Sequence, residues 1–483
     1  MTPFERIRLC VLGVVVFGCS PVAPEREVKQ YLQARVSVIS RDVEQIRGLS
    51  FRRPVCPAVI SREEYTRQTR HSIASSLSES EDNAISKEYA QMCFMPEIDS
   101  SIASVLGDFY GSLPLAFYRD GSDSIYLIPD ENQDQFDVDV TIAHELTHAL
   151  QDQYFDIHPA VFPNYSRYNS DAELAIRSVV EGDAGFTEAV YAYRTLALQY
   201  GILDGSPYDS AMAYYARRKE SLMTAAYPMD APLHISMSNY MPYFAGPPFI
   251  AHLYSLQRSW NEVNNLYSVT RMPKSVAEIN SEDTVEVKHF DFYGIEMLLA
   301  DAGGAIEYTD DDNAGFSLLH ALYYSKNMVE AAAARRSYGW MGDRYVYVKR
   351  QGMEYGTLVW ALAFASAFDA EKCYAKFKLL VASRILGGVA SVMEPIPDST
   401  VLPDTSSRFN APGVNTELIQ SGSEVWWLEN TGSLTEEITT MLGSQNGTPS
   451  TLAKTVSENT LTESLSSDTR RALRSGLFRY LTN

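Results

Sequence analysis

Histidine and cysteine are scarce in this chain, eight and five among 483. Five cysteines, none paired at metal-site spacing, exclude a disulfide-dense scaffold and a cysteine-based zinc module. Positive charge is also in deficit: 40 Lys and Arg face 61 Asp and Glu, a net −21. That balance excludes nucleic acid as a partner, since no basic groove is available to neutralise phosphates. No glycine-rich loop that could cradle phosphates is present. After the N-terminus no apolar run approaches the roughly 20 residues needed to cross a bilayer. What remains is an acidic chain with 45% hydrophobic residues, long enough for two or three domains with sizeable cores.

Two of the few histidines stand together, in His144-Glu145-Leu146-Thr147-His148. Chance alone gives an HExxH pattern on the order of once in a hundred chains of this composition. Residues four apart on a helix share one face. Both imidazoles can therefore grip one zinc ion, while Glu145 reaches a water activated beside it. The surrounding stretch, Asp137 to Asp152, reads as a helix. Val138, Ile142, Leu146 and Ala149 recur at three- and four-residue steps, and Asp137 and Asp139 suit the positive end of its dipole. Burying two histidines and a carboxylate without a partner would be costly, and a metal supplies that partner. The bland alternative is a core helix whose histidines are satisfied by hydrogen bonds.

A catalytic zinc takes three protein ligands. The metzincin solution needs a glycine and a third histidine where this chain has Gln151 and Tyr154, so it is excluded. The other solution is a glutamate on a later helix. Ser170 to Phe186 is helical in pattern and carries Glu181, followed by Gly182, Ala184 and Gly185. Glycine inside a helix costs up to about 1 kcal/mol relative to alanine. Close approach to the histidine helix is the expected reason for accepting that cost. Glu173 and Glu188 are weaker ligand candidates. Asp152, four residues past His148, is either a carboxylate steadying an imidazole or a solvated group at the helix end. Tyr240, Tyr243, His234 and His252 are candidates to stabilise an oxyanion, with plain packing as the alternative for each.

HELTH followed by a glutamate on a later helix resembles the gluzincin group of zinc metallopeptidases. More closely, the chain resembles a bacterial family of HExxH-containing metallopeptidases. The matching pieces include Arg47-Gly48-Leu49, Arg53-Pro54-Val55, Phe117-Tyr118, His144 to Asp152, Val180 to Ala184, Asn265-Leu266-Tyr267 and Gly342-Asp343-Arg344. They spread over roughly residues 45 to 380. The resemblance implies His144, His148 and Glu181 as Zn2+ ligands, Glu145 as general base and acid, and a peptide or protein as substrate. The segment Pro159 to Tyr165 departs from thermolysin-like enzymes and is expected to be a loop near the site.

The N-terminus reads as a targeting segment. Arg6 and Arg8 precede an apolar run from Leu9 to Phe17, a positive n-region and a short h-region. The run ends in Gly18-Cys19-Ser20, which resembles a bacterial lipobox. Cleavage before Cys19 and lipidation there would anchor the chain to a membrane in the cell envelope, outside the cytoplasm, periplasmic or at the surface. An ordinary secretory signal with an incidental cysteine is the alternative. Secretion would also permit a Cys56–Cys93 disulfide, leaving Cys373 free.

The expected fold is α+β and predominantly α. Residues 1–18 form the signal and 19–105 a helical region and spacer. Residues 106–330 form a gluzincin-like metallopeptidase domain, and 331–483 a small α+β module with a Ser/Thr-rich tail. A hairpin over Leu115–Tyr118 and Ser124–Ile128, turning at Asp120-Gly121, is expected just before the metal helix. It either forms the rim of a substrate cleft or only covers the core. In the C-terminal module, strands are expected near Tyr345–Lys349, Thr357–Ala361 and Glu424–Leu428. A helix is expected over Asp369–Leu386, and the Pro/Ser/Thr-rich stretch Pro395–Gly422 reads as loop. Trp340, Asp343 and Arg344 are expected to tie a turn. The competing functional reading is a binding lipoprotein that keeps a structural metal and cleaves nothing.

Overall fold

The computed structural model describes residues 25–92, 101–112, 115–129, 134–155, 169–201, 205–222, 233–268, 270–281, 287–315, 319, 339–385, 405–411 and 413–445. Cys19, the targeting segment, Cys93, the Pro159–Tyr165 stretch and most of the Ser/Thr-rich tail lie outside the described residues, as does the side chain of His234. The elements run α1 (Glu25–Arg47), β1 (Cys56–Val59), α2 (Arg62–Ser76), α3 (Glu79–Gln91), α4 (Ile102–Ser112), β2 (Ala116–Arg119) and β3 (Ser124–Leu127). Next come α5 (Gln135–Tyr154), α6 (Ser170–Tyr200), α7 (Pro207–Leu222), α8 (Leu233–Gln257), α9 (Asn261–Leu266), α10 (Val276–Ser281) and α11 (Tyr293–Asp301). The C-terminal part contains β4 (Ile306–Asp312), β5 (Trp340–Arg350), β6 (Thr357–Phe364), α12 (Ala367–Ile385), β7 (Thr405–Ala411), β8 (Val414–Ser421), β9 (Glu424–Glu429) and α13 (Thr435–Ser444). The architecture is mixed α+β with helix predominating.

The expected hairpin is present: β2 and β3 pair antiparallel, with Gly121 taking the positive φ of the turn. A strand that sequence periodicity did not expose, β1, joins β3 in parallel. The sheet order β1-β3-β2 leaves β2 at the edge facing α5. The described residues before 106 are therefore built into the body of the fold. Helix α1 is fastened to α5 by the Arg35–Asp139 ion pair and by Tyr31 to Gln135.

The second sheet is six-stranded and antiparallel, in the order β4-β5-β6-β9-β8-β7. Two expectations change here. The stretch read as loop from Pro395 to Gly422 contains β7 and β8, whose pairing runs from Thr405↔Gln420 to Ala411↔Val414. The sheet also starts before residue 331, because β4 pairs along β5. Alternation along β5, β6 and β9 gives both faces a core. Tyr345, Tyr347, Trp360, Leu362 and Trp427 join the large core that also holds the apolar faces of α5, α6 and α12. Val346, Val348, Val359, Ala361 and Leu428 form a separate core, closed by Ile295 and Leu299 of α11 and Ile438 and Leu442 of α13.

The two halves are linked by buried hydrogen bonds. Asp312 at the end of β4 accepts from the backbone N–H of Ser170 at 2.8 Å, anchoring the start of α6. Asp343 is fully buried and accepts from the backbone N–H groups of Ala314 and Gly315 and from the indoles of Trp340 and Trp360. Arg344 pairs with Asp311. These three residues thus tie the β4 end to β5 and β6, as expected. Glu88 of α3 accepts from the hydroxyls of Tyr308 and Tyr345 on the same sheet.

Candidate metal centre

Helix α5 starts where Asp134 caps it, the side chain accepting from the N–H of Asp137. Its buried stripe carries Ile142, Leu146 and Ala149 into the core and turns His144 and His148 toward α6. Helix α6 is capped by Asn169 and ends at Gly201, which takes the left-handed conformation. It brings Glu181 between the two imidazoles. His144, His148 and Glu181 are 8%, 7% and 2% exposed.

Three donor atoms converge. His144 Nε2 lies 3.1 Å from His148 Nε2 and 3.2 Å from Glu181 Oε2, and His148 Nε2 lies 3.4 Å from the same oxygen. A tetrahedral ion with bonds near 2.0–2.1 Å spaces its donors about 3.3 Å apart. The triangle fits that requirement, so the group can hold a metal ion. No fourth His, Cys, Asp or Glu among the described residues joins it.

The outer nitrogens of both rings are also engaged. His144 Nδ1 lies 2.9 Å from Glu188 Oε2. A carboxylate only accepts, so with a metal on Nε2 the ring keeps its proton on Nδ1. His148 Nδ1 lies 2.8 Å from Gln151 Oε1. The amide of Gln151 is oriented by donation from its Nε2 to the Val180 carbonyl at 2.9 Å. Glu188 is thus a support for His144, and Glu173 stays outside the donor group. Asp152 does not steady an imidazole. It accepts from the Tyr118 hydroxyl at 2.6 Å and from the Gly121 N–H at 3.2 Å, holding the hairpin onto α5.

Glu145 is 3% exposed and is not one of the donors. Its Oε2 accepts the backbone N–H of Tyr118 at 2.8 Å. The hairpin therefore does more than cover the core, since its edge strand touches this carboxylate. Of the four oxyanion candidates, Tyr243 stands at the centre: its hydroxyl donates to Glu181 Oε1 at 3.0 Å, and its ring faces His144 at 6.2 Å. Tyr240 packs against Phe109 and Phe244. His252 is half-buried farther along α8 and outside the donor group.

The glycines after Glu181 do not serve an approach to the histidine helix. A Cβ at Gly182 would lie 2.5 Å from the carbonyl carbon of Gly246, and one at Gly185 would lie 2.8 Å from Pro247. Both face α8, the helix that carries Tyr243. Next to them, Arg47 and Asp183 form an ion pair of 2.9 Å, with side chains 1% and 0% exposed. Tyr267 donates to Asp183 and Trp260 covers the guanidinium. Residues from segments distant in sequence thus meet there.

In the absence of metal the imidazoles are basic. Burial pulls His144 down, but hydrogen bonds to Glu181 and Glu188 outweigh it and raise the group to about 10. Burial also works against His148, and the charge of Glu181 raises it nonetheless. Comparisons of the chain with protein-family models, with curated proteins and with solved structures find no match.

Proposed function

We propose that the protein is a zinc-dependent peptidase of the gluzincin type, anchored to a membrane of the bacterial envelope through lipid on Cys19. Its substrate would be a peptide or protein. The observation that carries the reading is Glu145, a buried carboxylate on the ligand helix that stands beside the donor triangle without belonging to it. A purely structural zinc takes four protein ligands and has no use for such a group, whereas a catalytic one keeps a position open. Two imidazoles and one carboxylate suit zinc, which in such a site polarises a carbonyl and acidifies water. Glu145 would accept the proton of the attacking water and deliver it to the leaving amine. The Tyr118 N–H holds that carboxylate in place. Glu188 and Gln151 hold the rings with Nε2 inward, and Tyr243 holds Glu181.

The test is metal content and cleavage of a peptide library by the lipid-free chain and by Glu145→Gln. The account expects one zinc per chain in both, and cleavage about 10²–10⁴-fold slower in the variant. Equal cleavage by both removes Glu145 from the chemistry. One zinc with no turnover of any peptide supports the binding lipoprotein instead.

A further inference from the structure

Helices α11 and α13 close the outer core of the six-stranded sheet, and α11 turns an apolar strip to solvent. Tyr293 and Met297 lie one turn apart on the same side of α11 and are 68% and 48% exposed. Gly294, also exposed, keeps the strip open toward α13. A Cβ built there would lie 3.6 Å from the sulfur of Met441, itself half-buried. Single exposed apolar side chains are ordinary on a protein surface. Two large ones in series, with a glycine gap and a methionine beside them, form a contact surface.

The rim of this strip has one sign. Asp291, Glu296 and Asp301 lie on or next to α11, Glu436 and Glu437 lie on α13, and neither helix holds a lysine or arginine. The neighbouring cations are engaged. Arg344 pairs with Asp311 and, at 3.8 Å, with Glu296, while Lys288 pairs with Glu424. Arg350 donates to the carbonyls of Leu299 and Gly303.

The chain itself holds a segment of opposite character. From Asp468 to Asn483 it carries Arg470, Arg471, Arg474 and Arg479 against one acidic residue, in a sequence of net −21. At the helical period Leu473, Leu477, Tyr480 and Leu481 fall on one side. The path to this segment starts at the strip. Gln445 accepts from the Asp291 N–H at 3.0 Å and donates to the Asp291 carbonyl at 2.7 Å, two residues from Tyr293. Residues 446–467 then span up to about 70 Å when extended. A tether of this kind gives its far end an effective concentration of about a millimolar, so a weak contact suffices.

We propose that residues 468–483 dock on the α11–α13 face. Leu473, Leu477, Tyr480 and Leu481 cover Tyr293 and Met297, and the arginines lie over the acidic rim. Methionine sulfur beside the Tyr480 ring adds a favourable contact. An anionic membrane is the rival destination for a basic amphipathic segment. The acidic rim and the place where Gln445 is held favour the protein's own face. The inference stands apart from the peptidase reading.

Hydrogen exchange read by mass spectrometry on the full, lipid-free chain tests it. The amides of residues 468–483 should exchange about tenfold or more slower than the unprotected rate. Met297→Asp alters an exposed position, so the fold is kept, and it should abolish that protection. Leu477→Asp should do the same and also speed exchange in α11. Arg471→Glu with Arg474→Glu should reduce the protection about threefold or more. Exchange of 468–483 at the unprotected rate in the parent overturns the proposal, as does protection that survives Met297→Asp. Protection that appears only with phosphatidylglycerol vesicles assigns the segment to a membrane, and protection lost on dilution assigns it to a second copy. Either result overturns docking within the chain.

Discussion

Replacing Gly182 by alanine is the most informative single change outside the donor set. In a solvated helix it would stabilise the protein by about 1 kcal/mol. Here the new Cβ would sit 2.5 Å and 2.6 Å from the carbonyl carbon and oxygen of Gly246. Carbon contacts are comfortable at about 3.5 Å or more, so α8 must withdraw by roughly 1 Å. The partner is backbone, so no side chain can rotate away. Overpacking of this kind costs about 1–3 kcal/mol. The withdrawal also stretches the 3.0 Å bond from Tyr243 to Glu181, and a hydrogen bond to a charged group contributes about 1.5–3 kcal/mol. After subtracting the gain in helix propensity, Gly182→Ala should destabilise the metal-free protein by about 1.5–5 kcal/mol. Urea unfolding measures that change. Competition with a chelator should show zinc held about tenfold more weakly, because Glu181 loses the group that aims it. A variant that is stabilised by about 1 kcal/mol and binds zinc like the parent would refute the claim that α6 and α8 touch backbone to backbone at the site.

Three further outcomes follow from the same geometry. Gln151→Ala should weaken zinc binding by about 10–100-fold while leaving the fold intact, whereas Asp152→Asn should leave zinc affinity close to the parent's; a chelator titration separates them. Arg47→Met strands Asp183 without its counter-charge and should cost about 3–5 kcal/mol in chemical unfolding. The metal-free protein should also lose stability as pH rises. His144 is raised from 6.5 to about 10 on folding, so its contribution is fully present below 6.5 and disappears as pH passes through about 10. Zinc needs the deprotonated ring, so its affinity should rise over the same interval; melting with and without zinc from pH 7 to 10 checks both signs.

Much of the site is legible in the residues themselves. HExxH is local, and helical period alone puts His144 and His148 on one face, so the donor pair can be read without knowing the fold. Glu181 is legible because a helical pattern with small residues after a glutamate is unusual. What those glycines touch is not, since nothing local distinguishes α5 from α8 as the neighbour. The imidazole partner differs from the expected one by a single position. His148 leans back to Gln151 at i+3, while Asp152 at i+4 is taken by the hairpin. Helix α8 holds Pro242, Pro247 and Pro248 and stays helical because packing against α6 and α7 outweighs local propensity. Strands β7 and β8 lie in a Pro/Ser/Thr-rich stretch whose turn residues mask the alternation of Leu418 and Gln420, which point inward.

The central claim is one metal held by His144, His148 and Glu181. A crystal of the zinc-loaded protein, with an anomalous difference map at the zinc edge, tests it most directly. The account predicts a single strong peak within about 2.0–2.2 Å of both Nε2 atoms and of Glu181 Oε2, with Glu145 outside bonding distance. A peak elsewhere, or one coordinated by Glu145 in a closed four-residue site, would contradict it.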